Sequence, residues 1–437
     1  MNKIWLLLLF IFSFTNVYSQ YWSVTELSPM PEAISNNAVV EATVNGDMHV
    51  FSFSGIDSTK IWSGISNKSF RYNVSTDTWD TIAPLPDSQT KIAAGASNVK
   101  NKIYIIGGYT VLSSGSEISS NKVHVYDPDS NQYLADGAAI PLAIDDHVQA
   151  VWRDSLIYVI TGWSNTSNRV NVQIYNPALD TWAAGTQVPN NNIYKSFGAS
   201  GLIKGDTIYY YGGASMAGAF NVQNQLRMGI IDPADPTQIT WSNPLNFAGE
   251  PGYRCAATFG SNDAMYWIGG SKITYNYNGI AYNGSGGVPP ADRSLFAPAG
   301  NINGWFTQGL ILPMDLRGIA EIDNSFGVKR IIAGGMEAGQ TVSRKTLLLE
   351  EQFTPGFDEI SYQSIFVYPN PVKAILYLDL PILSTDNTII SIYNSEGRVV
   401  QNKVINNSSL NVSELNSGIY FIRINSDDKY FRAGFIK

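Results

Sequence analysis

The sequence predicts an all-β protein: a six-bladed β-propeller followed by a small antiparallel β-sandwich. Three observations carry that prediction. A short apolar strand closed by glycine recurs, ending at Gly55, Gly108, Gly162, Gly213, Gly270 and Gly335, with spacings of 53, 54, 51, 57 and 65 residues. A period of roughly fifty residues built from strands marks a propeller blade. A second phrase, with two aromatics seven positions apart, follows several of these strands: Tyr72 and Trp79, Tyr126 and Tyr133, Tyr175 and Trp182. Finally, the glycine phrases stop before residue 357, while β-branched alternation runs on to the end.

Composition bounds the function. The chain has 437 residues, 44% hydrophobic and 15% charged, enough for more than one core. A formal net charge of −8 and the lack of a basic run argue against a general nucleic-acid binder. Cys255 is the sole cysteine, so no intramolecular disulfide forms, and its alanine neighbours make it a buried, inert thiol. The three histidines, His49, His124 and His147, do not pair at metal-ligand spacing, so no metal or cofactor is expected. No nucleophile turn, P-loop or dinucleotide fingerprint is present.

Taken in order, residues 1–19 read as a secretory signal: Lys3, an apolar stretch over 4–14, and a small-residue cleavage site at Val17-Tyr18-Ser19. That stretch is too short to span a bilayer, and no transmembrane segment is expected later. Residues 20–356 hold the repeats. Each unit reads as four strands: a small-residue strand (IAAGASNV from Ile92), the glycine strand, a Tyr strand and a Trp strand. Ala and Gly are poor strand formers, so the small strand is expected to be crowded against the axis. Pro, Asp and Asn between the two aromatics form the outer turn. Ile231-Asp232-Pro233 leading to Trp241 is a fourth such turn, and Trp305 marks a fifth. The sixth unit has no Trp after Gly335. Residues 22–31 (WSVTELSPMP) read like 79–86 (WDTIAPLP), so Trp22 is expected to complete the last blade and close the ring.

These residues resemble the kelch family, whose blades carry a diglycine, then a Tyr and a Trp separated by six residues. Ser54 and Thr161 depart from the pattern at the first glycine, and Tyr133 replaces a Trp. The likeness covers roughly residues 20–355.

Residues 357–437 read as a sandwich of short strands. Tyr368-Pro369-Asn370-Pro371 opens it, Ser395-Glu396-Gly397 is a hairpin turn, and LNSGIY from Leu415 precedes the last strand pair. This domain resembles the type A C-terminal sorting domain of the type IX secretion system of Bacteroidetes. The resemblance implies export through the periplasm and outer membrane, with that secretion machinery as a partner and a secreted or cell-surface location.

Candidate site residues come from the ladder geometry. In a four-stranded blade the residues opening the inner strand and those after the diglycine face the same mouth. Counting back 15–18 residues from each second glycine gives Asn37, Lys91, His147, Lys195, Arg254 and Arg317. Five can be cationic, so a rim that concentrates an anionic ligand is expected, with Lys91, His147, Lys195, Arg254 and Arg317 as ligand-binding residues. Fourteen residues before the glycine, Glu41 and Glu321 replace small residues in blades that become neighbours on closure. Desolvation there raises a carboxyl pKa toward acid–base use, so both are candidate catalytic residues, with Arg317 expected to face Glu321. Loops over the mouth span 109–122, 164–170, 214–226, 271–303 and 336–342. The fourth is rich in Tyr (Tyr275, Tyr277, Tyr282), a composition suited to stacking on sugar rings. Two functions follow: a glycan- or protein-binding module, or an enzyme on an acidic sugar. The second rests on resemblance to bacterial kelch mutarotases that interconvert anomers of sialic acid.

Overall fold

The computed structural model describes residues 20–437 except 219, 247–249, 298–305, 324–327, 354–362, 381–387, 396–397, 405–407 and 427–428. The signal at 1–19, Trp305, the boundary at 356/357 and the turn residues Glu396 and Gly397 lie outside the described residues. The chain divides into two compact units, Tyr21–Gln352 and one containing Phe353–Lys437.

In the first unit six four-stranded antiparallel paths are laid edge to edge by their inner strands. Blade 1 runs Ala38–Val44, Asp47–Ile56, Ile65–Asn73, Thr78–Ile82. Blade 2 runs Ile92–Val99, Lys102–Val111, Val123–Asp127, Gln132–Tyr133, with Glu117–Ser119 hooked onto its second strand. Blade 3 has inner strand Val148–Trp152, blade 4 Phe197–Lys204 and blade 5 Ala256–Phe259. Blade 6 runs Ala320–Asp323, Lys329–Ala333, Thr346–Phe353, and its outermost strand is Gln20–Leu27 from the start of the unit.

The ring therefore closes as the Trp22 repeat predicts. Trp22 is 3% exposed. Its ring meets Tyr266 of blade 5 edge-on with centroids 5.1 Å apart, and its backbone N–H donates to Gln308 Oε1 at 3.2 Å. Burying an indole against a neighbouring blade removes about 150–250 Å² from water. The outer turns share a lock of their own. Tyr72 and Tyr175 donate to Asp77 and Asp180 at 2.5 Å, and Tyr126 donates to Asn131. Each acceptor lies five residues on and is left-handed (φ 52°, 51° and 54°), which Asp and Asn tolerate best.

The diglycines are explained by close approach. The N–H of the second glycine donates to a carbonyl that opens the next blade: Gly108 to Ile144 O at 3.0 Å, Gly213 to Gly252 O at 2.7 Å, and Gly335 of blade 6 to Ile34 O of blade 1 at 2.9 Å. A Cβ on Gly108 would lie 2.7 Å from Ile92 O, which no side chain accommodates. The first position is left-handed as well, at Gly107, Gly212, Gly269 and Gly334 but also at Ser54 (φ 54°) and Thr161 (φ 50°).

The second unit is a two-sheet sandwich. One sheet orders Gln363–Ser364, Lys429–Ile436, Ile419–Ser426, Ile389–Asn394, Val399–Val404, and the other Val367–Tyr368, Ile375–Leu378, Ser409–Asn411. Alternate residues Leu376, Ile392, Ile422, Phe431 and Phe435 form its core. One pair departs from the antiparallel expectation, because Gln363–Ser364 runs parallel to Lys429–Ile436.

Candidate functional site

The inner strands start from six residues with left-handed backbone: Asn36 (φ 55°), Ala93 (56°), Asp146 (45°), Gly198 (66°), Arg254 (49°) and Asp315 (66°). They form a closed circle of backbone hydrogen bonds. Ala93 N–H donates to Asn36 O (3.3 Å), Asp146 to Ala93 O (3.2 Å), Gly198 to Asp146 O (2.8 Å) and Arg254 to Gly198 O (2.7 Å). Leu316 then donates to Arg254 O (3.1 Å), and Asn36 to Asp315 O (3.3 Å). Left-handed backbone costs a non-glycine residue roughly 1–2 kcal/mol. Here it aims the N–H of that residue, or of Leu316 after Asp315, at the preceding blade.

The circle bears a buried ion network. Arg254 reaches Asp146 with Nε (3.0 Å) and Nη2 (2.5 Å) and Asp315 with Nη1 (2.8 Å). Ser35 adds a hydroxyl to Asp315 at 2.7 Å. All three charged side chains are at most 3% exposed. A buried guanidinium is tolerable only with such partners.

Two cavities flank this network. Toward the loops is a small one of about 80 Å³, walled by Tyr109, Trp163, Phe197, Phe220 and Tyr282, with Glu117, Asp145 and Asp146 beside Arg254. The rings of Trp163, Phe197, Phe220 and Tyr282 form one cluster, with Trp163–Phe220 centroids 5.7 Å apart and Phe220–Tyr282 4.7 Å. Ser119 donates to Asp145 Oδ2 at 2.5 Å. Burial, then Asp146, pushes the Asp145 carboxyl well above the usual carboxylate range, and burial also raises Glu117.

The second cavity, about 320 Å³, runs along the inner strands, past Gly95, Ala96, Gly201 and Ala257, and reaches Glu41 and Glu321. The small residues thus make room for a channel rather than simply crowding the axis. Glu321 N–H donates to Glu41 Oε2 at 2.9 Å, and Thr258 donates to Glu321 Oε1 at 3.0 Å. Burial, followed by the neighbouring Glu321, pushes Glu41 up to about 7.

The predicted openers do not form a cationic rim. Lys91 turns into blade 2, where Nζ is 2.6 Å from Asp87 Oδ2 and 3.2 Å from His124 Nε2, because a cation at 2% exposure needs a carboxylate. Asn37 is buried and donates to Ser52 and to Ala333 O. Lys195 is half-buried in the turn before Phe197–Lys204 and lines neither cavity. His147 faces the channel, and burial, then Arg317, lowers it to about 4, so it is neutral at pH 7. Arg254 stands on the circle but is occupied by Asp146 and Asp315. Arg317 lines the same channel but pairs elsewhere: its Nη2 donates to His147 O at 2.8 Å, and Nη1 lies 3.7 Å from Asp146. Arg330 takes the place beside Glu321 instead, at 3.5 Å. The aromatic pocket was missed apart from Tyr282. Its signal is an aromatic directly after the second glycine, Tyr109 after Gly108 and Trp163 after Gly162.

Comparison with known proteins places this geometry. Residues 93–133 match the Kelch motif family, and residues 366–437 match the Secretion system C-terminal sorting domain. The chain is a kelch-type propeller with a secretion sorting domain. A solved structure described as "Structure of YjhT" superposes with a TM-score of 0.58 over 75% of this chain and 99% of that one, at 16% identity, a likeness of fold. Kelch-like protein 25 of Xenopus tropicalis is 26% identical over 173 residues, 40% of this chain and 26% of that protein. Kelch repeat and BTB domain-containing protein 12 of Homo sapiens is 30% identical over 140 residues, 29% of this chain and 22% of its own length. The chain thus spans about a quarter of the length of these curated relatives. The sorting domain marks it for export to the cell surface or the medium by the type IX machinery. No helix among the described residues is long and apolar enough to cross a membrane.

Proposed function

We propose that this exported kelch propeller is a glycan-binding module whose ligand docks at the loop-bearing mouth. The observation that carries the reading is the cavity there, with an aromatic wall set over carboxylates. Aromatic faces stack on the apolar face of a sugar ring, and carboxyl oxygens accept hydrogen bonds from its hydroxyls. The same carboxylates, and the engagement of Arg254 by Asp146 and Asp315, disfavour the anionic ligand that the sequence suggested. A glycan array followed by calorimetry tests this. The native protein should bind a defined set of oligosaccharides, and Trp163→Ala should weaken them by at least about ten-fold, as loss of a central aromatic anchor does. Equal binding by native and Trp163→Ala proteins would overturn it.

A second reading is proton transfer on a sugar in the channel, by Glu41 and Glu321. It is favoured by the Glu41 carboxyl, poised at about 7 and bonded to the Glu321 backbone. Matching a catalytic pKa to the working pH is what general acid–base chemistry requires. Anomer exchange followed by NMR checks it: a sugar exchanging faster with the native protein than with Glu41→Gln supports it, and identical rates for both proteins exclude it.

A further inference from the structure

The charges at the loop mouth do not balance. Asp146 is taken up by Arg254, with Arg317 Nη1 3.7 Å away, and Arg254 Nη1 goes to Asp315. Glu117 and Asp145 are left over. Among the described residues, Glu117 has no hydrogen bond or ion pair from its side chain, and Asp145, 3% exposed, has only the Ser119 hydroxyl on Oδ2. Both residues line the cavity, together with Tyr109, Trp163 and Tyr282. Burial holds both carboxyls toward the neutral form, and a cation donating to them in the cavity would let them ionise. No group of three or more His, Cys, Asp or Glu among the described residues suits a metal ion, and aromatic faces are poor company for a hydrated metal. An ammonium group satisfies both features: it is attracted to the negative faces of Trp and Tyr rings, and it donates to carboxylates.

We propose that the mouth pocket takes an alkylammonium group, and that the glycan of the reading above is one carrying a free amine: an unacetylated amino sugar. The volume agrees, since about 80 Å³ admits an ammonium with a few attached carbons and leaves the rest of a sugar chain at the entrance. This inference rests on the glycan reading, and its test separates the two. A fully deacetylated glucosamine oligomer and its N-acetylated counterpart of equal length are titrated against the full chain. The free amine should bind at least about ten-fold tighter, the worth of one charged hydrogen bond, and Glu117→Gln should reduce that preference to near parity. Trp163→Leu, which keeps an apolar side chain at the wall, should weaken the free-amine oligomer as well. Equal affinity of the two oligomers, with loss in Trp163→Leu, overturns the ammonium inference and leaves the glycan reading standing. Binding of neither oligomer overturns the inference, and a silent glycan array alongside it overturns both readings. Tighter binding of lysine amide than of the amino sugar also overturns the inference, because the amine would then belong to a peptide.

Discussion

Arg254 and Asp146 form a two-point ion pair across the axis, with Nε 3.0 Å and Nη2 2.5 Å from the two carboxylate oxygens, and both residues have left-handed backbone. The pair joins the openings of blades 3 and 5, which are not neighbours. Removing one partner leaves the other charge buried and unpaired. Arg254→Met should therefore cost about 3–5 kcal/mol of stability, and Arg254→Met combined with Asp146→Asn less than the sum of the two singles. Urea denaturation of the three variants checks this; strict additivity would show that the pair is not coupled.

Trp22 closes the ring from the far end of the unit, so its loss should be felt globally. Trp22→Ala is expected to destabilise the propeller by about 3–5 kcal/mol, the range for deleting a buried aromatic. Removing residues 20–27 should leave Thr346–Phe353 with an open edge and the propeller prone to association. Thermal melting and light scattering together decide; a deletion variant that melts like the parent and stays monomeric counts against closure.

Ser54 and Thr161 occupy the same left-handed position but should respond differently to glycine. Ser54 Oγ is buried without a partner, so Ser54→Gly removes both strain and an unsatisfied hydroxyl; a net gain of about 1 kcal/mol is expected after the greater freedom of glycine in the unfolded chain is subtracted. Thr161 Oγ1 lies 2.8 Å from Arg169 O and accepts the Ser196 N–H at 2.9 Å, so Thr161→Gly should be neutral or destabilising. Denaturant midpoints of the two variants, compared side by side, test the contrast.

Glu41 gives a signed pH dependence. Its folded pKa of about 7 lies above its ordinary value of 4.5, so between those limits the folded state holds more protons than the unfolded state. Stability contributed by the protonated form is complete below the lower value and is lost as pH rises through the upper one. Glu41→Gln stays neutral throughout. Relative to the native protein it should therefore be more stable at pH 8 than at pH 5, with other carboxylates cancelling in the comparison. A difference that is constant with pH, or that grows in the opposite sense, refutes the assignment.

The sorting domain supplies the last prediction. Deleting residues 366–437 should leave the propeller inside the cell envelope, with none at the surface or in the medium, as read by fractionation and surface labelling. Normal export of the truncated chain would contradict the assigned route.

Much of the architecture was legible because each blade repeats its own local chemistry. A diglycine, a Tyr and a Trp recur, and Trp22 repeats Trp79 at a distance that only a closed ring explains. The site was less legible because its registers differ between blades. The equivalent opening residues lie 15 or 16 positions before the second glycine in blades 2 to 5, from Ala93 to Gly108 for example, but 19 in blade 1 (Asn36 to Gly55) and 20 in blade 6 (Asp315 to Gly335). Counting back at a near-constant offset stopped short of Asn36, Asp146 and Asp315 and ran past Ala93 and Gly198, so of the six openers only Arg254 was placed on the circle. The ion network could not be read at all, since Asp146, Arg254 and Asp315 meet across blades without a local pattern. One signal was available: Asn, Asp and Gly, the residues that best tolerate left-handed backbone, hold four of the six positions.

In blade 6 the strand that leads toward the sorting domain, Thr346–Phe353, is not the outermost one. It is flanked by Lys329–Ala333 on one side and Gln20–Leu27 on the other. Tension applied through the tail is therefore shared between two rows of backbone hydrogen bonds rather than peeling one. A chain pulled by its tail before Gln20–Leu27 had docked would lack the second of those rows.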